Sequence, residues 1–144
     1  MKRFGFLAIF SALLLTGCGG PQNSGSTDGA YDVDLTVLDS NMVFAQVSDM
    51  YNNPDSYVGK TVKASGTFGY YQNPDTQTEY FAVLIQDATA CCAQGIEFLL
   101  KGNPKYPADY PEPQTEITVT GVFNYYEELG NTYCQLKEAT LETA

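Results

Sequence analysis

Lys60-Thr61-Val62-Lys63-Ala64-Ser65-Gly66-Thr67-Phe68 is the stretch that sets the fold class. Val62, Ala64, Gly66 and Phe68 alternate with Thr61, Lys63, Ser65 and Thr67, so one face of a β-strand is apolar and the other polar. Gly66 in mid-strand marks a bend or a close backbone approach. Upstream the period is helical. Asp39 or Ser40 serves as N-cap, and Val43, Val47, Met50 and Tyr51 share one face at i, i+4, i+7 and i+8. Asn52-Asn53-Pro54 ends that helix, and residues 55–58 add one further turn before Gly59. Downstream the period of two returns. A polar loop spans Tyr71 to Thr78, and strands follow at Tyr80–Gln86 and Gly95–Leu100. The stretch from Lys101 to Thr115 holds Pro104, Pro107, Pro111 and Pro113, which rule out a central strand or an uninterrupted helix. Ile117, Val119, Gly121, Phe123 and Tyr125 alternate as a fourth strand. Leu129-Gly130-Asn131 turns the chain into a fifth, Tyr133–Leu141. The expectation is a mainly β protein: a small five-stranded Greek-key barrel, closed or nearly closed, with one N-terminal α-helix.

One helix followed by five strands, with glycines inside the first and fourth, resembles an oligonucleotide/oligosaccharide-binding (OB) fold. Here the proline-rich loop takes the place of the helix that usually joins the third and fourth strands, and the N-terminal helix is expected to plug one barrel end. A second likeness rests on Tyr57-Val58-Gly59-Lys60-Thr61-Val62, with Cys91-Cys92 and the following Gly95. This "Tyr-x-Gly-Lys-x-Val" entry and paired-Cys segment are similar to the soluble domain of bacterial permease subunits. They also resemble clostridial lipoproteins of unassigned function. The likeness spans roughly residues 40–140 and implies an OB-like fold and a surface location, without an activity to transfer.

The N-terminus gives the address. Lys2 and Arg3 precede an apolar run from Phe4 to Leu15, too short to span a bilayer as a helix. Leu15-Thr16-Gly17-Cys18 then resembles the lipobox of bacterial lipoproteins. That resemblance implies cleavage before Cys18 and a diacylglycerol on its thiol; the plainer alternative is an ordinary secretory signal with an incidental Cys. The expected organisation is a signal peptide at 1–17, the lipidated Cys and a flexible tether at 18–30, and an OB-like domain at 31–144. Residues 19–30 lack large apolar side chains, as a spacer does. The protein is expected to be extracytoplasmic and anchored to the cell membrane. Gly19 is unlike an inner-membrane retention signal, and with the clostridial likeness this points to a Gram-positive outer surface.

Composition narrows the chemistry. The 144 residues carry 7 Lys and Arg against 17 Asp and Glu, and without Lys2 and Arg3 the net charge is −12. Such a chain repels phosphate backbones and has no basic face for anionic headgroups, so no nucleic-acid partner is expected. A solvated acidic surface is the plain reading of that charge. The absence of His removes Ser-His and Cys-His catalytic pairs and His-ligated metals. Eleven Tyr and eight Phe with no Trp suit an exported β-domain.

Three cysteines besides Cys18 carry the sharpest candidates: Cys91, Cys92 and Cys134. Adjacent residues on a strand face opposite ways, so Cys91 and Cys92 serve one site only if the segment from Asp87 to Gln94 turns. One reading is a disulfide from Cys134 to one of the pair, closing a loop of roughly 40 residues worth on the order of 3–4 kcal/mol. A second is a zinc or cuprous site of three thiolates, completed by Asp87, Glu97 or water. A third is small buried cysteines without chemistry. A direct Cys91–Cys92 bond would be strained. Tyr70-Tyr71 and Tyr125-Tyr126 are candidates for an aromatic binding face, against simple packing or loop support. Glu127-Glu128 reads as a solvated hairpin end.

The function expected from these features is a non-catalytic, membrane-anchored binding module for a small ligand, glycan or envelope protein. It is expected to be monomeric and to need no cofactor. A zinc-binding accessory protein associated with transport and a thiol-redox protein using Cys91-Cys92 are the alternatives.

Overall fold

A computed structural model describes residues 30–144. The signal segment 1–17, Cys18 and the tether up to residue 29 lie outside the described residues. In chain order the elements are β1 (Val33–Asp34), a 3-10 turn (Leu35–Val37), α1 (Ser40–Asn52), a second 3-10 turn (Pro54–Ser56), β2 (Thr61–Gln72), β3 (Glu79–Gln86), β4 (Ala93–Leu100), β5 (Glu116–Glu128) and β6 (Asn131–Thr143). Among the described residues no helix is long and apolar enough to cross a membrane.

The helix begins where the sequence places its cap. The Asp39 carboxylate accepts from the backbone amides of Asn41 and Met42, both at 3.0 Å. A cap of this kind is worth about 1 kcal/mol. Val47 and Met50 are fully buried from its inner face, and Pro54 opens the 3-10 turn that follows.

The strands form one six-stranded sheet, which corrects the expected five. The extra strand is β1, parallel to β2 through Val33↔Val62 and Asp34↔Lys63. Two residues are too few to show a period. The other pairings run β2–β3, β3–β4, β4–β6 and β6–β5, and β5 returns to β2; β4–β6 is parallel and the rest antiparallel. Each of β2 to β6 therefore pairs with at least two other strands, each over part of its length.

Closing that circuit requires β2 to change partners along its length. Thr61 to Thr67 pair with β5, and Thr67 to Gln72 pair with β3. The exchange falls beside Gly66, where a Cβ would overlap the Leu84 backbone carbonyl. Gly121 serves the equivalent purpose in β5. A Cβ there would lie 2.9 Å from the Lys137 carbonyl oxygen, and the β5–β6 register shifts between Thr120 and Val122. Both mid-strand glycines thus sit where backbones approach too closely for a side chain.

Inward positions follow the sequence alternation. Val62, Ala64 and Phe68 of β2 meet Val83, Ile96, Phe98, Val119 and Phe123, all essentially without solvent exposure. Burying each Phe contributes roughly 1.5–3 kcal/mol. The segment between β4 and β5 contains no strand or α-helix, as its prolines require. It packs through two rings: Tyr106 stacks on Tyr70 with centroids 4.0 Å apart, and Tyr110 on Phe81 at 4.1 Å. The helix packs against β3, β4 and β6.

Candidate functional site

Outward positions of β2, β3, β4, β5 and β6 make a concavity of about 630 Å³. Where Phe81, Val83, Ile96 and Cys134 point inward, their neighbours Tyr80, Ala82, Gly95, Glu97 and Tyr133 point out into it. The small residues Gly69, Ala82 and Gly95 hollow its floor, and Leu84 lies across the floor against both glycines. Tyr51 reaches in from α1 and donates to the Gly95 carbonyl. Burial is the main cause that pushes its phenol up to about 12. Tyr71 of β2, more than half exposed, faces Tyr80 across the hairpin with ring centroids 6.1 Å apart. Asn73 and Leu129 stand at the rims.

Glu97 and Glu128 supply the charge. Glu97 is half-buried, and burial holds its carboxyl above the ordinary range, with the Glu128 carboxylate adding to the effect. Opposing this, Tyr126 donates to both Glu97 oxygens at 3.0 Å. A smaller cavity of about 250 Å³ shares Tyr80, Glu97 and Glu128 with the larger one. Among the described residues no Lys lines either cavity. The site therefore offers ring faces, phenol donors and carboxylate acceptors, and no cationic side chain to pair with an anion.

Leu129 closes the rim in an unusual way. The β5–β6 hairpin turns in two residues, Leu129 at φ 51° and Gly130 at φ 79°, between the paired Glu128 and Asn131. Two successive left-handed residues make a type I′ turn, whose first position favours Asn, Asp or Gly. A leucine there is strained, and this one is 96 % exposed.

The four tyrosines expected to form one face divide. Tyr70 and Tyr71 both border the concavity, but the Tyr70 ring is stacked under Tyr106 and its hydroxyl donates to Glu79 at 3.0 Å. Tyr126 supports Glu97. Tyr125 donates to Asp55 of the second 3-10 turn at 2.8 Å. Residues 125 and 126 are neighbours on one strand and so diverge. Glu127 and Glu128 do end a hairpin, and Glu128 lines both cavities. The lining residues Tyr51, Tyr80, Tyr133 and Leu129 were not singled out from the sequence. The alternation around Tyr80 and Tyr133 was a signal for their outward direction, but the concavity depends on which strands adjoin.

The cysteines also separate. Asp87 to Cys92 form the turn between β3 and β4, closed by the Asp87 amide donating to the Cys92 carbonyl at 3.0 Å. The Asp87 Oδ1 accepts from the Cys91 amide at 3.0 Å, and its Oδ2 from the Cys91 thiol at 3.2 Å. Those bonds, the thiol first, hold the Asp87 carboxyl below its ordinary range. The Cys91 and Cys92 sulfurs are 3.5 Å apart and exposed. The Cys92 thiol is raised, chiefly by its contact with Cys91. Cys134 is instead fully buried, and burial pushes its thiol up to about 12. All three are free cysteines in this structure, which shows no disulfide from Cys134 to the pair. Cys134 occupies an inward position of β6, whereas the pair stands on an exposed turn. The expected metal set contracts for the same reason. Asp87, Cys91 and Cys92 bring their ligand atoms within 4.8 Å of one another, while Cys134 and Glu97 are not in that group.

Compared with models of known protein families, the chain matches none, and no curated protein matches it.

Proposed function

We propose that the protein is a non-catalytic binding module held at the cell surface by a lipid on Cys18, with its ligand seated in the tyrosine-lined concavity. The observation that carries the reading is the concavity itself: Tyr51, Tyr71, Tyr80 and Tyr133 around a floor of small residues, with Glu97 and Glu128 on its walls. Aromatic faces stack on flat or sugar-like ligands, and phenols and carboxylates hydrogen-bond to hydroxyl and amine groups. Two carboxylates and no lysine disfavour an anion. The ligand class that fits is a neutral or amine-bearing saccharide or similar small polar molecule.

The finer fold reading belongs with this proposal. We read β2 to β6 as a small OB-like Greek-key barrel, supported by the circuit of pairings that returns to β2 and by the parallel β4–β6 contact. The export signal and the tether, read from the sequence, set the working place as extracytoplasmic, on a Gram-positive outer surface. The absence of His supports a non-enzymatic role.

Because the chain lacks Trp, its ultraviolet fluorescence comes from its 11 tyrosines, among them Tyr51, Tyr70, Tyr71, Tyr80 and Tyr133 of the concavity. Short neutral and amine-bearing oligosaccharides titrated into the protein are expected to change that emission saturably, with dextran sulfate silent. The paired change Tyr71→Ala and Tyr80→Ala should abolish the response. A response that survives those changes, or one given by the polyanion alone, would refute the proposal.

A further inference from the structure

We propose that Asp87, Cys91 and Cys92 form an exchangeable site for a thiophilic divalent cation of the zinc and cadmium class. The site is separate from the tyrosine concavity and does not depend on it. Its geometry is the argument. Tetrahedral zinc with Zn–S bonds near 2.3 Å places two bound sulfurs about 3.8 Å apart, and one sulfur and one carboxylate oxygen about 3.5 Å apart. The Cys91 and Cys92 sulfurs are 3.5 Å apart, and the Asp87 Oδ2 lies 3.2 Å from the Cys91 sulfur. Both distances come within a few tenths of an ångström of a metal's bite. The sulfur separation is far from the 2.05 Å of a disulfide.

The turn that carries these atoms is already built. The two oxygens of Asp87 divide their work: Oδ1 accepts the Cys91 amide at 3.0 Å and the Thr89 amide at 3.2 Å, which fixes the carboxylate plane. Oδ2 is turned toward the thiols, where the Cys91 thiol and the Thr89 hydroxyl now donate to it. Ala90 takes a left-handed conformation, φ 53°, at the apex and lets the next two side chains converge. This answers the objection that neighbouring cysteines on a strand diverge. Binding replaces the two S–H bonds with two metal–sulfur bonds and releases two protons to solvent, with no change of oxidation state. Three protein ligands on an exposed turn leave the fourth position open to water or to an incoming donor. An open site trades its ion, unlike a closed structural one.

The test uses the reduced full chain and cadmium as probe, because thiolate-to-cadmium charge transfer absorbs in the ultraviolet. The expected result is one equivalent per chain, with two protons released at a pH where the thiols are protonated. Cys91→Ser and Cys92→Ser should each lose the band, and Asp87→Asn should bind about tenfold or more weakly. Cys134→Ala should retain it. Circular dichroism accompanies each variant, and iodoacetamide on the native exposed pair provides a block that needs no substitution. No band in the wild type overturns the proposal. So does a band that survives the Cys91→Ser, Cys92→Ser double change, or one lost in a folded Cys134→Ala.

Discussion

The Tyr126 hydroxyl donates to both carboxylate oxygens of Glu97, at 3.0 Å each, from the strand on the far side of β6. This bond orients the half-buried acid that the two cavities share. Removing it in Tyr126→Phe leaves a partly buried carboxylate with fewer donors. The expected loss is about 1 kcal/mol in urea unfolding at neutral pH, shrinking at low pH where Glu97 is protonated. An equal loss at both pH values would show that packing, and not the bond, matters.

Glu97 itself sets a pH dependence. Its folded pKa lies above the ordinary value of 4.5, with burial the largest cause. A carboxyl raised on folding favours the folded state while it is protonated, and that contribution is lost as pH climbs from 4.5 through the raised value. Glu97→Gln removes the titration and keeps an acceptor for Tyr126. The difference in stability between Glu97→Gln and wild type is therefore expected to move in favour of the variant as pH rises through that window. A difference flat with pH would contradict the assignment.

Leu129 sits left-handed at an exposed turn, at a stability cost that a binding contact would explain. Leu129→Asn should stabilise the protein by on the order of 0.5–1 kcal/mol, while weakening ligand binding at the concavity. Calorimetric unfolding and the fluorescence titration read the two effects separately. A variant that gains stability and binds as well as wild type would remove Leu129 from the site.

Gly66→Ala tests the partner exchange in β2. The added Cβ meets the Leu84 backbone carbonyl, which has no side-chain freedom to yield. The expected cost is about 1–3 kcal/mol. Gly130→Ala, at an open turn with positive φ and nothing near its Cβ, reports backbone strain without a clash. The two variants together separate steric overlap from conformational preference.

Much of this architecture was legible from residue patterns. The alternation from Val62 to Phe68 and from Ile117 to Tyr125 gave the strands, Asp39 the helix start, and four prolines the irregular segment before β5. Gly66 signalled the close approach that Leu84 makes. β1 escaped because two residues carry no period. In β6 the burial passes from Leu136 to Ala139, with Glu138 at φ 50°, an irregularity that strict alternation does not anticipate. The candidate site was only partly readable for a physical reason. Tyr51, Tyr80 and Tyr133 are far apart in sequence and meet only because β3, β4 and β6 adjoin and α1 packs on them. The cysteines divided because Cys134 sits at an inward position of a strand while Cys91 and Cys92 ride a turn.

That division has a chemical readout. Native protein treated with iodoacetamide should be modified at Cys91 and Cys92 and spared at Cys134, whose burial withholds the thiolate. Peptide mapping after denaturation should then find Cys134 newly reactive. A Cys134 that stays unmodified after denaturation without reductant would mean that it is disulfide-bonded.

The claim that the tyrosine concavity is the ligand seat is tested most directly by NMR of protein labelled in its tyrosine rings, titrated with short neutral and amine-bearing oligosaccharides. The account predicts that the signals of Tyr51, Tyr71, Tyr80 and Tyr133 shift together and saturate, while Tyr57, packed in the core, and Tyr110, stacked on Phe81 from the proline-rich segment, stay in place. Shifts confined to Tyr110 and Tyr125, or a titration that leaves the four lining rings unmoved while another surface responds, would contradict it.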